Sequence, residues 1–586
     1  MANGRSHGLF DLTGGLRPKR STFDLSYSKK FDARFGALYP VLCDEVVPGD
    51  TWHVGNQIVC RVVNPLMAPV MQNWKIFVHY FFVPYRILWD KWEEFISGGI
   101  NGNSVIPVPI FTAYKNRDET TPGNSANYND GIKITTIGDN AKALTSFGSI
   151  GDFLFGVAFP DTFGSIPEQN CPVIFPYLAY LHVYNDYYRD ENLQSPIGEP
   201  LTSGKDPQYV VDQSYQGQLP TILPRGVGIP GYKYYNQDSK GLLYRNWKKD
   251  YFTSALLNQQ RGDPPTLRFN FIDGSVFPVG FVYNGQSHEL LATNDNVDGS
   301  RGIIKTTVPG FNESIGLSSM PPINVNLSGK PVDTGITVSD LRFVTQIQKW
   351  QERNMRGGVR YTEFLSAHFG IAPRDDRMMR PEYLGGSVQP IVVSEVLQTS
   401  PSSSGGVDTS LGRLGGHGLS VNSSHCCDYT ASEYGLILGL MSIMPEPEYQ
   451  QGLDRQWSRK TKFDYYFPEF QCLSEQEIRS SEVKIGSSYE ENERIFGYQG
   501  RFDEMRYKKN QTCGQLRFGG DFDYYTMSRY FNNNPELNDS FIVCNPDIKG
   551  LFHDDTTNPF LINFGNIIKC TRPIMSMATP GMLDHF

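Results

Sequence analysis

The stretch IFVHYFFVP, residues 76–84, constrains the fold more than any other part of this chain. Ile76, Val78, Tyr80 and Phe82 alternate with Phe77, His79, Phe81 and Val83, so both faces are largely apolar. A strand of that kind has to be covered on both sides. Pro84 cannot donate to a sheet ladder and holds the residue before it extended, so it ends the strand. Past the proline, Leu88, Trp92, Phe95 and Ile96 fall near helical spacing, with Trp89 among them, Asp90 early in the run and Gly98 and Gly99 at its close. That pattern predicts one short capped helix. The block reads as core or shell material, and nothing in it is chemically reactive.

The remainder of the chain must supply the cover. Fifty-seven glycines and 38 prolines in 586 residues are about 16%, against roughly 12% in ordinary chains, which predicts long loops between short strands. Charged residues are 20% and aromatics 13%. Few charges and many rings is the lean of surfaces that become interfaces. A formal charge of −9 argues against a surface that coats nucleic acid throughout, though a local basic patch stays open. Nine scattered cysteines without a CxxC pair imply neither a disulfide framework nor a zinc knuckle, and suit reducing conditions. The first thirty residues hold no apolar leader segment, and no run of 18 apolar residues occurs. The expectation is a soluble chain made and kept in a cytoplasm, without membrane insertion.

Along the chain, residues 1–40 look like a basic arm. Arg5, Arg17, Lys19, Arg20, Lys29, Lys30 and Arg34 face only Asp11, Asp24 and Asp32. Residues 45–84 read as strands broken by Pro-Gly and Asn-Pro turns. PYLAYLHVYNDYYRDENL, residues 176–193, reads as mainly helical. Two stretches rich in Gly, Pro, Ser, Asn and Asp, about 194–240 and 262–335, read as long insertions. The clearest helix is 340–356, where Leu341, Val344, Ile347 and Trp350 repeat every three residues, Ser339 can cap the start, and Gly357 and Gly358 end it. That stripe is expected to bury one helix face, leaving Arg353, Arg356 and Arg360 to reach carboxylates or phosphates. A polar, glycine-rich loop is expected at 400–425, strands return at 433–449, and a C-terminal tail starts near 545.

No catalytic pattern in the sequence converges on a site. GVGIPG, residues 226–231, matches a dinucleotide fingerprint, but Pro224 and Pro230 mark a loop. HCCD, residues 425–428, collects metal-ligand types, yet adjacent cysteines do not splay into tetrahedral spacing, and a strand start is the plainer reading. The RGD at 261–263 reads as a turn. Asp375–Asp376, and Glu491 with Glu493, could pair as acid and base, but solvated faces explain such pairs and no sequence feature sets them across a cleft. No nucleophile elbow, zinc-protease or phosphate-loop motif occurs. The expectation is a protein that is not an enzyme and takes no cofactor and no metal.

Several segments together resemble one family: the major capsid proteins of microviruses, the small icosahedral single-stranded DNA phages, in particular the gokushovirus-like branch. They include PGDTW, NPLMAPVM, HYFFVPYRILWDKWEEFISGG, AYLHVYNDYYRDENL, LRFVTQIQKWQERNMRGGVRYTEFL, RPEYLGG, EYGLILGL, FGYQGRFDEMRYKKNQTCG and PGMLDHF. Their order and spacing carry the resemblance. It is weakest across 194–240 and 262–335, and it departs at Leu256–Gln260 and at Val359. The resemblance implies a mainly β fold: a single eight-stranded jelly roll of two antiparallel four-stranded sheets, with very long insertions and a few short helices. It also implies a T=1 shell around a circular single-stranded DNA genome, assembled in the host bacterial cytoplasm.

On this reading the partners are other copies of the chain, the genome, a small basic DNA-binding protein, pilot and scaffolding proteins, and a host surface receptor such as a glycan. Arg17, Lys19, Arg20, Lys29 and Lys30 become the DNA-facing candidates. Phe81, Phe82, Pro84, Trp89, Trp92, the helix stripe, Arg356 and Arg360 become core or assembly candidates, and the insertions become a candidate surface projection. Two rival classes remain in view: a carbohydrate-binding or carbohydrate-active β protein, which would need paired carboxylates facing a groove, and a nucleic-acid-binding module, which the net charge disfavours.

Overall fold

The computed structural model describes residues 19–64, 66–89, 91–99, 146–158, 172–194, 241–265, 338–358, 360–372, 374–397, 414–548, 550–554 and 557–577. It also describes short pieces at 106, 108–109, 196–197, 280–283, 286–292, 304–306, 402–404 and 407–409. The described chain divides into two units, one holding residues 1–259 and 354–586 and the other residues 260–353.

The larger unit is built on nine strands: β1 (Ser21–Asp24), β2 (Tyr27–Ala33), β3 (Tyr39–Val46), β4 (Thr51–Val62), β5 (Trp74–Pro84), β6 (Glu382–Leu397), β7 (Leu414–Thr430), β8 (Gly435–Pro445) and β9 (Phe560–Arg572). Pairing is antiparallel throughout and runs β1-β9-β4-β7-β6-β5-β8-β3, with β2 also on β9. The path can be divided into two antiparallel four-stranded halves, β2-β9-β4-β7 and β6-β5-β8-β3, so the mainly β expectation holds. The halves are not separate sheets. β6 pairs with β5 over Glu382–Ile391 and with β7 over Val392–Leu397, which makes the pairing continuous.

The reason for this arrangement is legible in each strand. β9 alternates buried and exposed residues along its length, a sheet with one wet face. β8 is buried at all eleven positions because β5 and β3 flank it and helices lie over it. Gly439 in β8 cannot take a side chain: a Cβ there would sit 2.9 Å from both Leu42 Cβ and Tyr80 Cε1. The space between the halves is filled by rings, with Phe35, Trp74 and Phe560 meeting edge to face at centroid distances of 4.9–5.7 Å. Such contacts add about 0.5–1.5 kcal/mol each beyond the area they bury.

Among the described residues the helices include α1 (Tyr85–Leu88), α2 (Trp92–Ser97), α3 (Ile150–Phe155) and α4 (Phe175–Val183), all short, then the twenty-residue α5 (Val338–Gly357), which runs across the boundary of the two units, and α6 (Tyr361–Phe369). The single helix expected after Pro84 is therefore two, because Trp89 breaks into an extended conformation between them. Gly98 ends the second in the left-handed region, at φ 77°. α4 is buried nearly all round and continues into a π turn, Tyr184–Tyr188; the Tyr180 hydroxyl donates to the Leu38 carbonyl at 3.0 Å and accepts from the Leu243 amide at 2.9 Å. A second apolar cluster, with Phe252, Tyr449, Ile478 and Phe541 at its centre, lies under the long segment after β8.

Three expectations about organisation change. Residues 21–33 of the expected arm are strands laid on β9. The expected tail beyond 545 contains β9 itself. The expected loop at 400–425 is, from Leu414, the long strand β7. Its polar sequence hides the strand because some inward-facing side chains are polar and bonded to one another: Ser424 Oγ donates to Asn56 Oδ1 at 2.9 Å, and Asn56 Nδ2 donates to Ser387 Oγ at 2.8 Å. The expected insertion at 194–240 lies outside the described residues almost entirely. Within 262–335 the described residues include three short antiparallel strands, Gly280–Tyr283, Gln286–Ala292 and Ile304–Thr306.

Candidate functional site

The aromatic block of β5 is core. Phe81 and Phe82 are almost fully buried. Phe81 meets Tyr187 at 4.8 Å and Tyr383 at 5.5 Å, while Phe82 meets Tyr429 at 4.8 Å. Pro84 ends the strand opposite Gly435. Trp89 is buried against Phe175, and Trp92 is partly buried between Tyr85, at 4.6 Å, and Tyr434, at 5.9 Å. These residues hold the fold and offer nothing to a ligand.

The stripe on α5 behaves differently. Leu341 and Trp350 are about half exposed, at 50% and 51%, and Val344 and Ile347 are only partly covered. Among the described residues, none covers this face fully. Period-three apolar spacing identifies a helix with one apolar face; it does not say whether the cover comes from the same chain. The arginines that follow are engaged in the larger unit: Arg356 pairs with Glu475, and Arg360 pairs with Glu191, lies 3.3 Å from Glu363, and donates to the Asn185 carbonyl at 2.7 Å.

Of the five basic candidates, Arg17 lies outside the described residues. Lys19 is exposed. Arg20 donates to the Gly49 carbonyl and to Thr51 Oγ1. The two lysines of β2 point to opposite faces, as neighbours in a strand must. Lys29 turns inward and donates to the carbonyls of Pro40 and Phe153, and burial pushes its ammonium down to about 8. It does not face outward. Lys30 does.

Lys30 belongs to the wet face of β2-β9-β4-β7, which the registers set out row by row. Asp32, Leu561, Arg61, Leu419 and Val392 form one cross-strand row; Lys30, Asn563, Val59 and Val421 form the next. A shallow cavity of about 600 Å³ is lined there by Lys30, Asp32, Val59, Arg61, Leu561 and Asn563 among others. Further along, Lys569 is exposed opposite His53, and His53 Nδ1 lies 2.6 Å from Asp428 Oδ1. The hydrogen bonds from His53 and then His425 hold the Asp428 carboxyl below the ordinary range. HCCD is thus part of a strand: His425 and Asp428 face solvent, and Cys427 is buried.

The face therefore carries the cations Lys30, Arg61 and Lys569 and the carboxylates Asp24, Asp32 and Asp428, with amides for hydrogen bonding and apolar side chains. The one carboxylate lining the cavity, Asp32, is accompanied by two cations, which is not the opposed carboxylate pair a glycosidase requires. Of the acidic pairs named from the sequence, Asp375 sits with Arg380 at 3.4 Å, Asp376 with Arg374 at 2.9 Å and Glu493 with Arg479 at 3.1 Å, while Glu491 accepts from the Ser487 amide at 3.1 Å. Among the described residues no helix is long and apolar enough to cross a membrane.

What the sequence reading missed is the surface of residues 453–530. Trp457, Phe463, Tyr465, Tyr489, Tyr507 and Phe518 are all exposed there, in a segment of short helices and tight turns. A count of rings in that window would have flagged it.

Comparison with known proteins gives a consistent result. The model of the family described as "Capsid protein (F protein)" matches residues 14–136 and 157–582. The capsid protein VP1 of Chlamydia phage 1 is 30% identical over 620 residues, covering 96% of this chain and 96% of the relative. The capsid protein VP1 of Bdellovibrio phage phiMH2K is 28% identical over 589 residues, covering 97% and 96%. The capsid protein VP1 of Spiroplasma virus 4 is 26% identical over 612 residues, covering 99% and 98%.

Proposed function

Because the chain belongs to the phage capsid protein (F protein) family, matched over nearly all its length, we propose that this major capsid protein closes a T=1 icosahedral shell around a circular single-stranded DNA genome. It is a structural component of a virion and not an enzyme. The observation that carries the finer reading is the fold of the larger unit: two four-stranded antiparallel halves with a buried aromatic interior and one wet face. Such a unit can tile a closed surface when its edges meet other copies.

In this reading the wet face of β2-β9-β4-β7 looks into the shell. Lys30, Arg61 and Lys569 contact phosphates, together with Lys19 and the basic residues preceding it, and the side-chain amides meet bases or sugars. Contacts of this kind are sequence-blind and salt-sensitive. Because the chain is acidic overall, a separate small basic protein shares the neutralisation of the genome. Pilot and scaffolding proteins act on the same shells in the host cytoplasm. Residues 262–335, with 194–240, form an outward projection that contributes to attachment, since loop-rich insertions lie on surfaces and tolerate change.

The test is nuclease protection. Particles formed with circular single-stranded DNA should shield it from digestion, and DNA that stays fully digestible in intact particles contradicts enclosure. Deleting residues 270–325 should leave shell formation intact and reduce attachment to host cells or to receptor glycans; loss of shells with attachment unchanged removes the projection from the account.

A further inference from the structure

We propose that residues 460–474 form the principal contact through which one copy of this capsid chain grips a second copy. This rests on the assembly reading above and goes beyond it by assigning the contact to a segment.

Fourteen of the fifteen residues from Lys460 to Ser474 are exposed, yet the segment holds a defined conformation. Its order comes from local hydrogen bonds. Asp464 accepts from the Thr461 amide at 2.7 Å and from the Lys460 amide at 3.0 Å, which closes the first turn. Phe470 donates its amide to the Phe467 carbonyl at 3.0 Å, which closes the second. Two side chains tie the segment to the body: Tyr466 packs on Phe502 at 5.1 Å, and Tyr465 lies under the Arg459 guanidinium at 5.7 Å. Arg459 is itself fixed by Glu504 at 2.6 Å, with both side chains mostly covered.

The result is a pre-ordered lobe that shows Phe463, Tyr465, Tyr466, Phe467 and Leu473 to solvent. Single exposed rings are ordinary on a monomer, but a run of five large apolar side chains within eleven residues is not. Phenylalanine and tyrosine are enriched where proteins bind one another, and a lobe already held in shape loses little entropy on docking.

Charge selects the partner. Lys460 and Lys462 are balanced by Asp464 and Glu469, so the lobe has no net field to draw a polyanion, and phosphate contacts dominate nucleic-acid affinity. A protein surface fits better. In a shell built from one chain the surface present at every contact is another copy, and ring-closing contacts set unlike patches against each other.

The experiment uses the full-length chain and the double variant Phe463→Ser, Phe467→Ser. Thermal unfolding and circular dichroism check the fold of the free subunit; sedimentation and negative-stain microscopy measure assembly. The expected result is a folded subunit whose critical concentration for shell formation rises at least about tenfold, equivalent to roughly 1.4 kcal/mol. A folded variant that assembles like the parent overturns the assignment. Should the variant misfold, the unaltered protein supplies the reading through Cys472, which is exposed within the lobe. A small maleimide should modify Cys472 in dissociated subunits and fail to do so in empty shells. Equal reactivity in both overturns the contact, because a lobe that merely lined the interior would stay open to so small a reagent. An unaltered chain that forms no shell under any condition removes the assembly reading, and this inference with it.

Discussion

His79 Nδ1 lies 2.7 Å from the Tyr188 hydroxyl, inside a cluster of rings at the point where β5 meets the turn after α4. The imidazole is surrounded by Tyr188 and Tyr383, with Arg245 as the nearby cation. Burial, and then Arg245, push its pKa down to about 4 from 6.5. His182 on α4 is pushed to about 4 by burial alone.

Acid should therefore loosen the subunit from within. A histidine whose folded pKa is depressed binds fewer protons folded than unfolded between pH 4 and 6.5, so stability falls as pH drops through that window. For His79 the loss by pH 5 is about 1–2 kcal/mol. Melting temperatures of the parent and of His79→Gln, measured from pH 7 to pH 4.5, should converge on acidification as the parent loses its advantage. Parallel curves would show that His79 does not titrate with unfolding.

Core and surface rings should separate in mutagenesis. Phe81→Ala removes a fully buried ring and should cost about 3–5 kcal/mol in urea unfolding of the subunit. Trp350→Ala, on the half-exposed face of α5, should cost about 1 kcal/mol or less. Similar losses for both would return Trp350 to the core.

The lysines of β2 give a matched pair for the genome contact. Neutralising Lys30 in DNA-filled particles should flatten the log-log salt dependence of DNA retention by roughly 0.7 per lost phosphate contact on a single strand. Neutralising Lys29 should change subunit stability and leave that slope alone, because its ammonium is held by the carbonyls of Pro40 and Phe153. Equal effects on the slope would contradict the assignment of faces.

These contrasts show what the chain's residues declare on their own. The strand through Phe81 and Phe82 was legible because both faces are apolar and a proline stops it. β9 was missed although FLINFGNIIKCTR alternates cleanly, since Asn563, Gly565 and Asn566 dilute the apolar signal with residues common in loops. β7 was missed because its interior side is partly polar, and hydrogen bonds such as those joining Ser424, Asn56 and Ser387, and Ser420 to the Pro390 carbonyl, make that burial tolerable. The two faces of β2 could have been assigned from alternation alone; a count of positive charges lumped Lys29 with Lys30. The stripe on α5 and the rings of 460–474 follow the patterns of buried residues, and a pattern cannot say which molecule does the burying.

The central claim is that this chain closes a shell, and electron cryomicroscopy of the protein expressed with and without circular single-stranded DNA tests it most directly. The expected result is closed particles of uniform size with T=1 icosahedral symmetry, the wet face of β2-β9-β4-β7 on the inside and residues 460–474 buried between neighbouring subunits. Subunits that remain monomeric at concentrations where related capsids assemble, or particles whose wet sheet face points outward, would contradict it.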